Sequence, residues 1–269
     1  MSDRIRQMVV TAAAVFMIVG TLYGFGVIGT RVEETSGGSL SATATLLAPA
    51  VRAFSIWSVI YAGLIAYVVW QWLPANTASP RARRIGGLSA LSMVLNGAWL
   101  LVTQVGWLWA SVVVIVALVV TLGELMRRLG PPRHASAVEK VIVDGTFGLY
   151  LGWVAIATAA NITATLVASG VDPALPVAEL LAVAVLAVAG GVGVLLARVL
   201  GGRIGVAVAM AWGLGWIAVG RLAGEPGSTL TGAAAAVAAA VVLTASGLIW
   251  LRRTGQLVPV HANTSGGAR

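Results

Sequence analysis

The sequence predicts an all-α fold: a polytopic membrane helical bundle of eight transmembrane helices. Three observations carry that prediction. Of 269 residues, 59% are hydrophobic and only 10% charged, with a mean hydropathy of +0.95, a balance foreign to soluble domains of this size. The apolar residues gather into eight runs of about 20 residues, each long enough to cross a bilayer as a helix. The basic residues crowd into alternate connections, as the positive-inside rule requires of a chain threaded back and forth.

A short basic segment with Arg4 and Arg6 precedes the first span, 8–28. A signal peptide is the rival reading, but the apolar run is too long and no small-residue cleavage site follows it. Residues 29–53 form a long polar loop containing Glu33, Glu34, Gly37 and Gly38. A lid and a disordered connector are both open for it. Within it, 39–48 is expected to form a short helix, capped by Ser39 and stopped by Pro49.

The second span, 53–73, carries aromatic residues at both ends. Phe54, Trp57 and Tyr61 recur at helical spacing and share one face. They form either an inward aromatic wall or a second interfacial belt. Trp70 and Trp72, just before Pro74 and a basic loop, are expected to be interfacial anchors. The third span, 85–105, has a polar stripe of Ser89, Ser92, Asn96, Trp99 and Thr103. Such a stripe faces protein or a cavity rather than lipid. Interhelical hydrogen bonding without a ligand is the plainer alternative.

The fourth span follows after Gln104, Val105 and Gly106 and ends near Arg127 and Arg128, either of which Glu124 can pair. After a basic loop, Asp144 is expected to cap the fifth span, 145–168. There Trp153, Ala157 and Asn161 lie one above another, and Asn161 is deep enough to need a partner. Spans 177–199, 203–222 and 230–251 are rich in Ala, Val and Gly. Ala189, Gly193 and Ala197 form one small-residue face, and Gly205, Ala209 and Gly213 another, each suited to close helix approach. Trp212 and Trp216 are the bulky aromatics expected inside this half.

With eight spans, both ends lie on one side. Arg31, Arg52 and Arg221 fall on the other, which leaves fourteen of the 17 Lys and Arg residues with the termini. The expected location is a bacterial cytoplasmic membrane with both termini cytoplasmic. The net charge of +8 is then an insertion signal, and no nucleic-acid partner is inferred from it.

Several chemistries are excluded by residue type. There is no cysteine, and the two histidines, His134 and His261, lie outside the spans. A haem axial ligand or an imidazole metal site in the membrane is therefore not expected, and no metal ligands or catalytic residues are assigned. Lys140, the single lysine, sits in a loop, which excludes a retinal Schiff base. No span carries an aspartate pair. A neutral, aromatic, weakly polar interior remains, and it suits a flat apolar ligand held by stacking and a few hydrogen bonds.

The motifs resemble those of the TspO/MBR proteins, the tryptophan-rich sensory or translocator family. The second span reads Phe54-Ser-Ile-Trp57-Ser-Val-Ile-Tyr61, similar to an aromatic followed by W-[TS]-x-x-Y. The third has Asn96-Gly-Ala-Trp99 for N-x-x-W. The fifth has Tyr150-Leu-Gly-Trp153, with Asn161 eight residues further on. The resemblance covers roughly 8–168. It implies a five-helix bundle with a pocket beneath the first loop, lined by Trp57, Asn96, Trp99, Tyr150 and Trp153, with Tyr61, Ala157 and Asn161 nearby. Leu149 stands where the family has Pro, and the first loop lacks the usual Trp- and Pro-rich stretch. The family's sterol-recognition pattern is absent after Asn161, so sterol binding is not implied.

The chain therefore divides into a five-helix TspO-like bundle, 1–170, three additional transmembrane helices, 171–253, and a disordered cytoplasmic tail, 254–269. The implied function is binding, sensing or moving a porphyrin-like or other planar hydrophobic molecule. Such a tetrapyrrole would sit without a protein axial ligand, and no other cofactor is implied. Two alternatives are light- or oxygen-dependent porphyrin breakdown and secondary transport of a hydrophobic metabolite, and binding is favoured over catalysis. The lipid bilayer is the second expected partner, and a homodimer is kept open.

Overall fold

The structure, a computed structural model, describes residues 2–131 and 135–255. His134 and His261 lie outside the described residues, as does the expected tail 254–269 apart from Thr254 and Gly255, which end the last helix instead. Among the described residues, eight helices are long and apolar enough to cross a membrane. They are α1 (Asp3–Gly24), α2 (Ile56–Trp72), α3 (Pro80–Gln104), α4 (Leu108–Leu129), α5 (Thr146–Ala168), α6 (Leu175–Leu200), α7 (Ile204–Ala223) and α8 (Thr229–Gly255).

Local signals set the helix ends. The Ser2 and Ser79 hydroxyls accept from the backbone N–H groups of Ile5 and Ala82 and cap α1 and α3. Gly106, with φ +77°, lets α4 turn back against α3 almost at once. The approach to α5 differs from expectation. Ser136, not Asp144, supplies the cap, and one helical turn, Ala137–Glu139, leads into a π-helical segment, Lys140–Gly145. Asp144 cannot serve as a cap because its carboxylate is taken by Arg81 and Arg203.

The helices pack in an order the chain does not follow. α3 lies between α1 and α4, α4 adjoins α5, and α2 bridges α1 and α5. This closes a five-helix ring. Gly20 and Gly97 let α1 and α3 approach until a Cβ on Gly20 would stand 2.8 Å from the Gly97 Cα. The remaining helices attach through α7, which packs against α5, while α8 packs against both α7 and α6. Both small-residue faces are used. Gly193 meets Val242 of α8, and Gly205 and Gly213 meet α5 at Gly148, Leu149 and Ile156.

The basic end of the bundle is knit by ion pairs. Arg81 reaches Glu139 at 2.9 Å and Asp144 at 2.8 Å, and Arg83 reaches Asp3 at 2.5 Å. Glu124 takes both Arg127 and Arg128 rather than one of them. The two expected interfacial anchors of α2 part company. Trp72 is part-exposed, donates to Thr11 and lies beneath Arg4. Trp70 is buried and stacks on Tyr67 at 6.2 Å, because at its place on the turn it points toward the core that Tyr67 and Leu64 occupy.

The 29–53 connection does not contain the expected 39–48 helix. A broken 3-10 segment, Val32–Gly38, turns through Ser36 (φ 52°), Gly37 and Gly38. Ser39 donates its hydroxyl to the Ser36 carbonyl instead of capping a helix. The carbonyls of Ala42 and Thr45 point to the guanidinium of Arg221 on α7. A second 3-10 turn, Val51–Ser55, then feeds α2.

Candidate functional site

The polar stripe of α3 faces inward, with Ser89, Ser92, Asn96 and Thr103 all buried. Most of it meets side chains of α2 and α5. The Tyr67 and Ser89 hydroxyls share a hydrogen bond of 3.2 Å, and Tyr150 donates to the Ser92 carbonyl at 3.1 Å. Tyr61 donates to Asn96 Oδ1 at 3.1 Å. Trp99 donates to Asn161 Oδ1 at 2.8 Å, and Asn161 Nδ2 donates to Ser111 of α4 at 3.0 Å. Asn161 thus has the partner its depth demands.

An aromatic cluster of α2, the 3-10 turn before it and α5 sits beside this network. Trp57 stacks on Tyr61, with ring centroids 5.1 Å apart and planes at 16°. Tyr150 and Trp153 meet the Trp57 ring edge-on at 5.9 and 6.2 Å. Phe54 meets Trp153 edge-on at 5.7 Å. These are the offset and T-shaped arrangements that ring quadrupoles favour. Of the two readings of Phe54, Trp57 and Tyr61, the inward wall holds: Trp57 is buried, and all three join this cluster.

Two adjoining cavities open against the wall. The inner one, about 310 Å³ including the open space around it, is bounded by Phe54, Trp57, Asn96, Trp99, Trp153 and Ala157, with Ile115, Leu118 and Val154 completing it. The outer one, about 530 Å³ including its open mouth, shares Phe54, Trp99, Trp153 and Ala157 and adds Ala160, Asn161 and Ala164. Its roof is the α1–α2 connection, through Val32, Ser39 to Ala42, Thr45, Ala48 and Pro49.

Six of the eight sequence-predicted residues therefore line cavity: Trp57, Asn96, Trp99, Trp153, Ala157 and Asn161. Tyr61 and Tyr150 do not. They stand behind Trp57 and fix its ring and the Asn96 amide. Sequence reasoning left out the α4 residues Ile115 and Leu118, which carry no signal beyond apolarity. It kept a lid open for the 29–53 loop but named none of its lining residues, whose small side chains resemble those of any polar loop. Trp212 and Trp216 line neither cavity, and Trp212 is 38% exposed rather than interior.

The chemistry of the lining is uniform. Among the described residues, no charged side chain borders either cavity, and no group of three carboxylate or imidazole side chains converges to hold a metal. Two donors stand out. Asn96 Nδ2 and Trp153 Nε1 belong to side chains only 1% exposed, and neither has a hydrogen-bond partner. Leaving such a group unsatisfied costs about 1–3 kcal/mol. Both residues border the inner cavity.

Eight membrane-length helices, with a roofed aromatic cavity among four of them, define an integral membrane protein of the ligand-binding or transport kind. The sequence places it more narrowly: the chain matches the TSPO-like protein family over residues 4–249 and belongs to that family. The match runs through the spans beyond residue 170 as well as the first five. No curated relative and no solved structure matches the chain.

Proposed function

We propose that this protein binds a planar, largely apolar small molecule of the porphyrin class in the slot between α2, α3, α4 and α5. Binding is the step that sensing and movement of such a molecule share. One observation carries the proposal. A cavity walled by Phe54, Trp57, Trp99 and Trp153 also borders two buried, unpartnered N–H donors, on Asn96 and Trp153. The rings offer faces and edges to a flat ligand, and the donors offer hydrogen bonds to acceptors on its rim. In so apolar a setting each such bond offsets the cost of a stranded donor.

The test is equilibrium binding of a free-base porphyrin to purified protein in detergent. Trp153→Ala removes an aromatic contact worth about 0.5–1.5 kcal/mol beyond its burial. Affinity should fall by about tenfold or more, or roughly 1.4 kcal/mol. Trp107, 64% exposed at the start of α4, is the comparison, and its replacement by Ala should leave affinity nearly unchanged. Equal losses in the two folded variants would mean that the tryptophans form a membrane belt and not a binding wall.

A further inference from the structure

Arg221 ends α7 inside the protein, with 2% of its surface exposed. A buried cation in a membrane helix is costly and calls for partners. Among the described residues no carboxylate forms an ion pair with it. Its partners are three backbone carbonyls: Thr45 at 3.1 Å, Ala42 at 3.0 Å and Glu225 at 3.2 Å. Two of the three belong to the roof of the outer cavity. Hydrogen bonds from an ionised donor are roughly twice as strong as neutral ones. If the roof lifted, the guanidinium would lose two of its three acceptors.

The same helix holds the roof at a second place. Trp212 Nε1 donates to the Ala53 carbonyl at 2.9 Å, and the Ala50 N–H donates to the Trp216 carbonyl at 3.2 Å. These bonds lie where the connection enters α2. Between the two attachments Leu47 and Ala48 are buried, and Ala48 borders the outer cavity. The connection is thus fixed near 50–53 and fastened near 42–45, with its apolar middle turned inward.

The geometry points to Arg221 as the latch of a lid formed by residues 32–50, so that α7 sets access to the cavity. This assigns a task to the three spans beyond residue 170: they contribute no residue to the inner or outer cavity, yet they hold its cover. The inference rests on reading the cavity as a ligand site, but the latch is measurable without any ligand.

The chain has no cysteine, so Ala48→Cys supplies a single thiol reporter. Its labelling by a water-soluble maleimide is followed on folded protein in detergent. In the otherwise unaltered chain labelling should be slow. Adding Arg221→Met should speed it at least tenfold. Adding Arg52→Met, at an exposed arginine of the same face, should change it less than twofold. Trp212→Phe keeps a ring and removes only the donor, and should give an intermediate rise. If Arg221→Met does not fold, Arg221→Lys, which keeps the charge and loses the forked geometry, carries the same expectation. Labelling that is fast in the unaltered background, or unmoved by folded Arg221 and Trp212 variants, overturns the latch. Porphyrin release from the same variants separates the two ideas. Faster labelling with faster release supports both, whereas faster labelling in protein that binds no porphyrin supports the latch and removes the ligand reading.

Discussion

Gly152 precedes Trp153 on α5 and meets α7 more closely than a side chain would allow. A Cβ built there would stand 2.3 Å from the Val206 carbonyl oxygen, 2.9 Å from Ala209 Cβ and 3.1 Å from the Met210 nitrogen. Two of these atoms are backbone and cannot rotate aside. Gly152→Ala therefore has to push α7 away by about 1 Å to restore van der Waals distance. Overpacking of this kind costs about 1–3 kcal/mol. A radial gap of that size also forfeits a quarter to a half of the dispersion well along the rest of the contact. Against this, alanine gains about 1 kcal/mol over glycine in helix propensity. The net expectation is a loss of roughly 1–2 kcal/mol. At about 2–4 °C per kcal/mol, that lowers the unfolding midpoint by several degrees in a detergent melt. Gly191 on α6 has nothing within 4 Å of its notional Cβ, so Gly191→Ala keeps the propensity gain without the clash. It should raise the midpoint slightly. If both variants melt alike, α5 and α7 do not touch as described, and the attachment of the last three spans is wrong.

Two further outcomes are expected. Asn161→Ala strips the acceptor from Trp99 Nε1 and the donor from Ser111, and should destabilise the protein by about 1–3 kcal/mol. Trp99→Phe in the same chain should recover part of that loss in a double-mutant melt, and strict additivity would show that the pair is uncoupled. The charge split predicts that reporter fusions after Arg84, Arg128 and Arg253 all read as cytoplasmic. A signal from the opposite compartment at Arg253 alone would mean that the last three spans are miscounted.

The eight spans were legible because length and apolarity decide them, and a bilayer leaves the backbone few alternatives. The α3 stripe was legible for a related reason, since polar groups at helical spacing have no place against lipid. Partner choice was not. Trp70 and Trp72 lie two residues apart in the same apolar run, and only the packing of α2 makes one a core residue and the other a rim residue. The docking of α7, rather than α6, onto α5 left no trace in hydrophobic periodicity. Lipid and protein interior are equally apolar, so a helix face against either reads the same. Arg221 read only as a charge on the side away from the termini, because it lies within a turn of the end of an Ala- and Gly-rich span. Asp144 read as a cap because an acid before an apolar run usually is one. Only the placement of Arg81 and Arg203 beside it shows otherwise.

That placement has a mechanical consequence. At the basic face, Arg203 joins α7 to Asp144 and to the Gly130 carbonyl, and Arg81 holds the same carboxylate from α3. The close glycine contacts with α5 run from that end to mid-helix, at Gly205, at Val206 to Met210 and at Gly213. α7 has 20 residues and is about 30 Å long at 1.5 Å per residue. Arg221 therefore stands at the end of α7 far from the Asp144 ion pairs, and the helix spans the distance between them. A tilt of about 5° about the Arg203 end moves the Arg221 end by roughly 2.6 Å over that length, comparable with the bonds of 3.0 and 3.1 Å from Arg221 to Ala42 and Thr45. The same tilt leaves the Arg203 end almost still. A small tilt about the Arg203 end would in this way be felt at the opposite face, as a lengthening of the hydrogen bonds from Arg221 to Ala42 and Thr45.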